Sequence, residues 1–480
     1  MSPGQVATSV TNLKLKFAGE DALLFRGVSL AFRRGEKTLL LGPSGCGKST
    51  LLQVLSGIIP GSIDVPMIAD DVQVPERWGF VFQDPDTQFC MPYADEELAF
   101  ALENQNIPRE HMPALIRDYI SQIGLVLEDV HAPIQEMSQG MKQRLAIASA
   151  LAMKPDVLFL DEPTALLDPE GTEQVWRTIR TLPPEMTMIV VEHKIEGVMD
   201  LFDRVVVIAP DGTVMADGAP DEVLQRYRPE LRKYGIWYPG AWADHLEGRA
   251  VKEREQSIRP EPLLLRMERF RGKRGKHTVI EAEQAAVAPG EWIGITGPNG
   301  AGKSSLLLSI MRLLKTEGTC EIAGEPAART EQAARLAAYV FQNPELQFIT
   351  NTVRDEAEYS LAVRGDDPAS RARAADELLD WLGLRELSAR HPYQLSTGQK
   401  RRLSVAAAII GGQKLLLLDE PTFGLDASST FALLGKLEQL RLDGAAILMI
   451  THDEYIAEHY CTSRWRVERG RLRNEAVFSS

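Results

Sequence analysis

Gly42-Pro43-Ser44-Gly45-Cys46-Gly47-Lys48-Ser49-Thr50 returns in the second half of the chain as Gly297-Pro298-Asn299-Gly300-Ala301-Gly302-Lys303-Ser304-Ser305. Each copy follows a short apolar segment, residues 38–41 and 292–296, and the pattern reads as strand, glycine turn, helix. Glycines at this spacing let successive backbone N–H groups converge on one point, and a helix beginning there adds its positive end, so the loop is built to hold phosphate. Lys48 and Lys303 would reach the β and γ phosphates. The hydroxyls of Ser49 and Ser304 would complete a Mg²⁺ coordination sphere otherwise filled by water and phosphate oxygen.

Other residues recur at nearly the same distance. The lysines are 303 − 48 = 255 residues apart, Ser138 and Ser396 are 396 − 138 = 258 apart, and His193 and His452 are 452 − 193 = 259 apart. So regular a repeat predicts two homologous α/β domains, at 1–226 and 260–480, with a C-terminal extension and linker at 227–259. The extension is aromatic (Tyr234, Trp237, Tyr238, Trp242) and is expected to pack against the fold, while the charged stretch 247–262 reads as a solvated linker. Of the chain's 480 residues, 44% are hydrophobic and 25% charged, the range of an ordinary soluble domain, and no apolar run approaches the roughly 20 residues a membrane-spanning helix needs. Cys46, Cys90, Cys320 and Cys461 lack metal-ligand spacing and are expected to be reduced thiols in the cytosol. A net charge of −14 disfavours a broad nucleic-acid footprint, and no nucleic-acid partner is expected.

The apolar runs 157–160 and 415–418 end in Asp161-Glu162 and Asp419-Glu420, as a buried parallel strand would deliver carboxylates to its C-terminal edge. Asp161 and Asp419 are expected beside Mg²⁺. Glu162 and Glu420, one residue on, are placed to orient and deprotonate an attacking water. His193 and His452 each follow another apolar run and are candidates to hydrogen-bond the γ-phosphate or that water.

Together these residues resemble the ATP-binding cassette family over essentially the whole chain apart from the junction. The resemblance implies two P-loop NTPase (RecA-like) domains in tandem, each with an antiparallel β subdomain and a helical signature subdomain. The signatures would be Met137-Ser138-Gln139-Gly140-Met141 and Leu395-Ser396-Thr397-Gly398-Gln399. It also implies head-to-tail packing, in which the signature of one domain closes over the ATP held by the other. Gln83 and Gln342 would then sense Mg²⁺ and γ-phosphate, Phe17 and Phe270 would stack on adenine, and Asp168 and Asp426 would end loops that communicate between the sites. The pocket of Lys48, Asp161, Glu162 and His193 would receive the near-consensus second signature. The other would receive Gln139 where the family has glycine, so the first pocket is expected to turn over faster.

Phe82-Gln83-Asp84-Pro85-Asp86-Thr87-Gln88 and Phe341-Gln342-Asn343-Pro344-Glu345-Leu346-Gln347 are similar to a segment of the ATPases of energy-coupling factor importers. That resemblance implies a peripheral protein at the cytoplasmic face of the cell membrane, with a transmembrane scaffold component and a substrate-capture component as partners. The fused form is similar to ATPases assigned to hydroxymethylpyrimidine or thiamine uptake. Two alternatives stay open: the fused ATPase of a sugar-type importer, and a soluble clamp acting on ribosome or DNA.

Overall fold

A computed structural model describes residues 5–19, 22–165, 167–193, 195–247 and 262–475. Leu166, Lys194 and most of the expected linker, 248–261, lie outside the described residues. The chain divides into two units, Met1–Ala241 with Asp426–Ser428, and Trp242–Leu425 with Ser429–Ser480.

In the first unit the central sheet runs in the order Val214–Gly218, Arg204–Ile208, Lys37–Leu41, Thr187–Val191, Val157–Asp161, Trp78–Val81. All neighbours are parallel except the first pair. Thr187–Val191 and Val157–Asp161 are buried at every position, which is why they read as unbroken apolar runs rather than alternating ones. The strand that ends in the phosphate loop, Lys37–Leu41, sits in the middle. Its C-terminal edge therefore gathers the phosphate loop, Asp161-Glu162 and His193, the place where open α/β sheets bind ligands.

The second unit repeats that order with Arg471–Glu475, Ser463–Glu468, Trp292–Thr296, Ala446–Ile450, Leu415–Asp419 and Ala337–Val340. Each unit adds an antiparallel layer, built on Val6–Leu15 with Phe25–Arg33 and on Leu265–Arg274 with His277–Val287. Here burial alternates along the strands, one face meeting the core and one meeting water. Each also adds a helical layer, Ala94–Asn104, Met112–Gln122 and Gln139–Ala152 in the first unit, Val353–Arg364, Pro368–Trp381 and Thr397–Ile409 in the second. Met112, Ile116 and Ile120 are four residues apart on one helix face and are its buried positions. In the extension Ile236, Tyr238 and Trp242 are buried. Trp242 stacks on Tyr455 at 5.3 Å and meets Phe431 edge-on at 5.0 Å. No helix among the described residues is long and apolar enough to cross a membrane.

One expected pairing is corrected. Phe17 and Phe270 are not equivalent: the strands carry matching left-handed residues at Asn12 and Arg269, an offset of 269 − 12 = 257, whereas 270 − 17 is 253. That offset aligns Phe270 with Leu13, and both are core residues, 1% and 0% exposed. Phe270 cannot present its ring to a base, because it is buried in the core with the Arg312 guanidinium 5.5 Å from its centroid. Phe17, beyond its strand end, is 41% exposed. Phe270→Ala is expected to lower unfolding stability by about 3–5 kcal/mol while leaving ATP affinity within about twofold. Chemical denaturation and nucleotide titration of the same preparation read the two effects separately.

Candidate functional site

The site in the first unit is set by register. Asp161 pairs with Val191 across parallel strands, and the Glu162 N–H donates to the Val191 carbonyl at 2.9 Å, so His193 emerges beside Glu162. Glu162 sits at φ 48, the left-handed region, and Glu420 repeats this at φ 49. A non-glycine residue held there costs on the order of 1–3 kcal/mol, and such strain concentrates where function fixes a side chain. Glu162 Oε1 lies 3.1 Å from His193 Nε2, and Oε2 accepts from Gln83 Nε2 at 2.8 Å. Burial pushes this carboxyl up, but the adjacent His193 and Lys48 outweigh it and hold it below the ordinary glutamate value. Glu162 is thus kept as a carboxylate, the form a general base requires.

Asp161 behaves oppositely. Burial, and then the charge of Glu162, push it up to about 7, against the Ser49 hydroxyl, Lys48 and His193. Ser49 Oγ donates to Asp161 Oδ1 at 2.9 Å. Lys48 is buried, and its ammonium donates to the carbonyls of Gly42 at 2.9 Å and Pro43 at 3.1 Å, which holds it in the mouth of the loop. Gly47 opens the following helix at φ 99, and a Cβ there would meet the Phe25 ring at 2.8 Å, so only glycine lets the loop close on its strand.

The second unit has the same plan with different supports. Lys303 Nζ donates to Gly297 at 2.6 Å and Pro298 at 3.0 Å, and His452 Nε2 lies 3.3 Å from Glu420 Oε1. Burial pushes Asp419 up to about 6, opposed by the Ser304 hydroxyl, which otherwise stands as Ser49 does in the first unit. Three supporting residues were not found by sequence reasoning. Tyr339 donates its hydroxyl to Asp419 Oδ2 at 3.4 Å, where the first unit has Phe80. Arg401, 3% exposed, donates to the carbonyls of Phe341 at 2.8 Å and of Gln342, where the first unit has Gln143. Glu192, 2% exposed, accepts from the Thr164 hydroxyl at 2.7 Å and from the His193 N–H at 2.8 Å, and Thr451 replaces it in the second unit. Comparing the repeats position by position would have exposed all three, since each differs between the copies: Tyr339 against Phe80, Arg401 against Gln143 and Glu192 against Thr451.

Gln83 and Gln342 also differ. Gln83 is half-buried and engages Glu162, whereas the Gln342 side chain is exposed. Asp168 caps the helix Pro169–Arg180, accepting from the Gly171 N–H at 2.8 Å. The signature serines are helix caps as well. Ser138 accepts from Met141 N at 3.2 Å, and Ser396 from Gln399 N at 3.4 Å, while the Ser396 N–H donates in return to Gln399 Oε1 at 2.9 Å. Met141 cannot make that return bond, so the first signature lacks the capping box. Neither helix has an acidic residue in its first turn, which leaves the positive end of each available to an anion.

The ABC transporter family pattern matches residues 25–165 and 282–423, one copy on each unit. The chain belongs to the ABC transporter family. Among curated relatives, this ABC chain is 32% identical over 492 residues to a Bacillus subtilis (strain 168) protein named "Putative HMP/thiamine import ATP-binding protein YkoD", covering 95% of this chain and 88% of that one. It is 32% identical over 462 residues to a Sulfurisphaera tokodaii protein named "Putative ABC transporter ATP-binding protein", covering 92% and 93%. Among solved structures, "RNase-L Inhibitor" aligns with a TM-score of 0.63 at 22% identity, covering 96% of this chain and 89% of that one. "Model of ribosome-bound archaeal Pelota and ABCE1" aligns at 0.67 and 21%, covering 96% and 78%. These likenesses are of fold: two ABC ATPase domains in tandem. ABC domains bind ATP, and the family's domains hydrolyse it.

Proposed function

We propose that this chain hydrolyses ATP at two composite sites, each closed by the signature of the other repeat, to energise an energy-coupling factor type importer of a vitamin, vitamin precursor or metal ion. Hydroxymethylpyrimidine or thiamine is the substrate class the relative from Bacillus subtilis suggests by its name. The observation that carries the hydrolysis is the duplicated cluster in which a strained glutamate, 3.1 or 3.3 Å from a histidine, stands next to a buried aspartate. In each copy the glutamate takes the proton of the attacking water, the histidine orients the γ-phosphate end, and the lysine offsets phosphate charge.

Mg²⁺ fits the donor set: a serine hydroxyl 2.9 Å from a carboxylate whose proton affinity is raised by burial and by the neighbouring charge of Glu162, which a bound cation would offset. Ser49, Asp161 and Gln83 would hold it in one site and Ser304, Asp419 and Gln342 in the other, where it would neutralise charge on the β and γ phosphates. Closure follows because ATP adds contacts to the opposing Ser138 and Gly140, or Ser396 and Gly398, that hydrolysis removes. Linking the two repeats in one chain sets an effective concentration of about millimolar for that closure.

Membrane attachment is through protein partners, a transmembrane scaffold and a substrate-capture component, at the cytoplasmic face. Exposed apolar side chains around the loop after Gln342 support this, with Leu346 at 69%, Ile349 at 62% and Tyr393 at 50% exposure. Purification in mild detergent is expected to recover small membrane proteins with the chain, and ATPase activity is expected to rise on reconstitution with them. Recovery of ribosomes or DNA in their place would reverse the reading.

A further inference from the structure

Each glutamine-proline segment carries an acid three residues after its glutamine, Asp86 and Glu345. Asp86 accepts from Lys142 Nζ at 2.7 Å and 3.0 Å, and Glu345 accepts from Lys400 Nζ at 2.5 Å. Those lysines are the fourth residues after the signature serines, one turn into the signature helices. Their side chains are only 10% and 16% exposed. An ammonium that deep requires a partner, so the pairs differ in kind from surface ion pairs whose lysine is free to move. The next residue of each helix adds a second rung, Gln143 donating to the Phe82 carbonyl at 3.3 Å and Arg401 to that of Phe341 at 2.8 Å.

The duplication serves as an internal replicate. The acid is one methylene longer in the second repeat and the spacing is 400 − 345 = 55 rather than 142 − 86 = 56, yet the pair is kept. The second copy is braced further: Lys400 Nζ lies 5.7 Å from the Tyr393 ring centroid, and the Tyr393 hydroxyl donates to the Glu345 carbonyl at 3.2 Å. In the first copy the other end of the loop is tied to the reaction site, through Gln83 and Glu162.

We infer that Lys142–Asp86 and Lys400–Glu345 are positioning pairs that strap the glutamine loop to the first turn of the signature helix, so that loop and signature shift as one piece within each repeat. A displacement of Gln83 at the phosphate end is thereby handed to Ser138 along a continuous run of bonds. This rests on the proposed ATPase only for its activity readout.

The test uses the full chain with Asp86→Asn, Lys142→Met, their combination and Asp86→Glu. Each single neutral variant is expected to lower kcat about tenfold with the KM for ATP within about twofold, the combination to be no worse than the poorer single, and Asp86→Glu to restore turnover to within about twofold of the parent. Hydrogen exchange gives an arm independent of activity. Lys142→Met is expected to speed exchange about tenfold across residues 83–91, and Asp86→Asn across 139–145. Losses that multiply in the combination, or exchange changes confined to the substituted segment, overturn the inference. A chain without measurable turnover leaves the exchange arm to decide, and that result would count against the ATPase and not against the strap.

Discussion

Glu162→Gln is expected to reduce steady-state ATP turnover of the full chain by about 100-fold or more, within the 10²–10⁴ range of general-base removal. The amide keeps the size and the left-handed backbone of the site, so ATP binding and unfolding stability should change little. What disappears is the carboxylate that His193 and Lys48 hold ionised in spite of burial. Glu420→Gln is expected to cost less, because that site would be closed by the first signature, whose Met141 cannot complete the capping box that Gln399 provides. Single-turnover measurement on the assembled transporter separates the two sites. Equal losses, or a larger loss for Glu420→Gln, would remove the asymmetry, and near-parental turnover for both would remove the assignment of the base.

Gly297→Ala is expected to weaken ATP binding at the second site about 100-fold and to lower stability by about 2–4 kcal/mol. Gly297 sits at φ 137, and a Cβ there would fall 2.1 Å from the Val467 carbonyl oxygen. That oxygen belongs to the strand Ser463–Glu468 paired with the strand ahead of the loop, so neither side can retreat without breaking the sheet. Gly300→Ala is the control. Its φ is 74 but no atom lies within 4 Å of the added carbon, so a cost of only about 1 kcal/mol is expected. Thermal unfolding, with nucleotide titration in a Lys48→Ala background, isolates the second loop; equal behaviour of the two alanine variants would contradict the steric argument.

The tandem architecture was legible because the decisive signals are local: a glycine loop between strand and helix, and apolar strands ending in carboxylates. Strands read at 157–160 and 292–296 appear as Val157–Asp161 and Trp292–Thr296. The clustering of Glu162 with His193 also followed from the shared sheet edge. What was not legible depends on packing between distant segments. Tyr339, Arg401 and Glu192 act through neighbours some 28 to 80 residues away, and nothing in their own windows marks them. Phe270 misled for the converse reason: an aromatic on an early strand has the same local pattern whether its face is covered or open, and only the strand's bulge fixes which.

The left-handed turn at Glu162 and Glu420 has an evolutionary corollary. Glycine in either place would relax the twist, and if these glutamates are the proposed bases the sturdier chain would do no work, so a laboratory selection for heat tolerance alone would discard chemistry first. Both halves carry glutamate here, the less relaxed choice for such a backbone, and so share the same trade between endurance and chemistry.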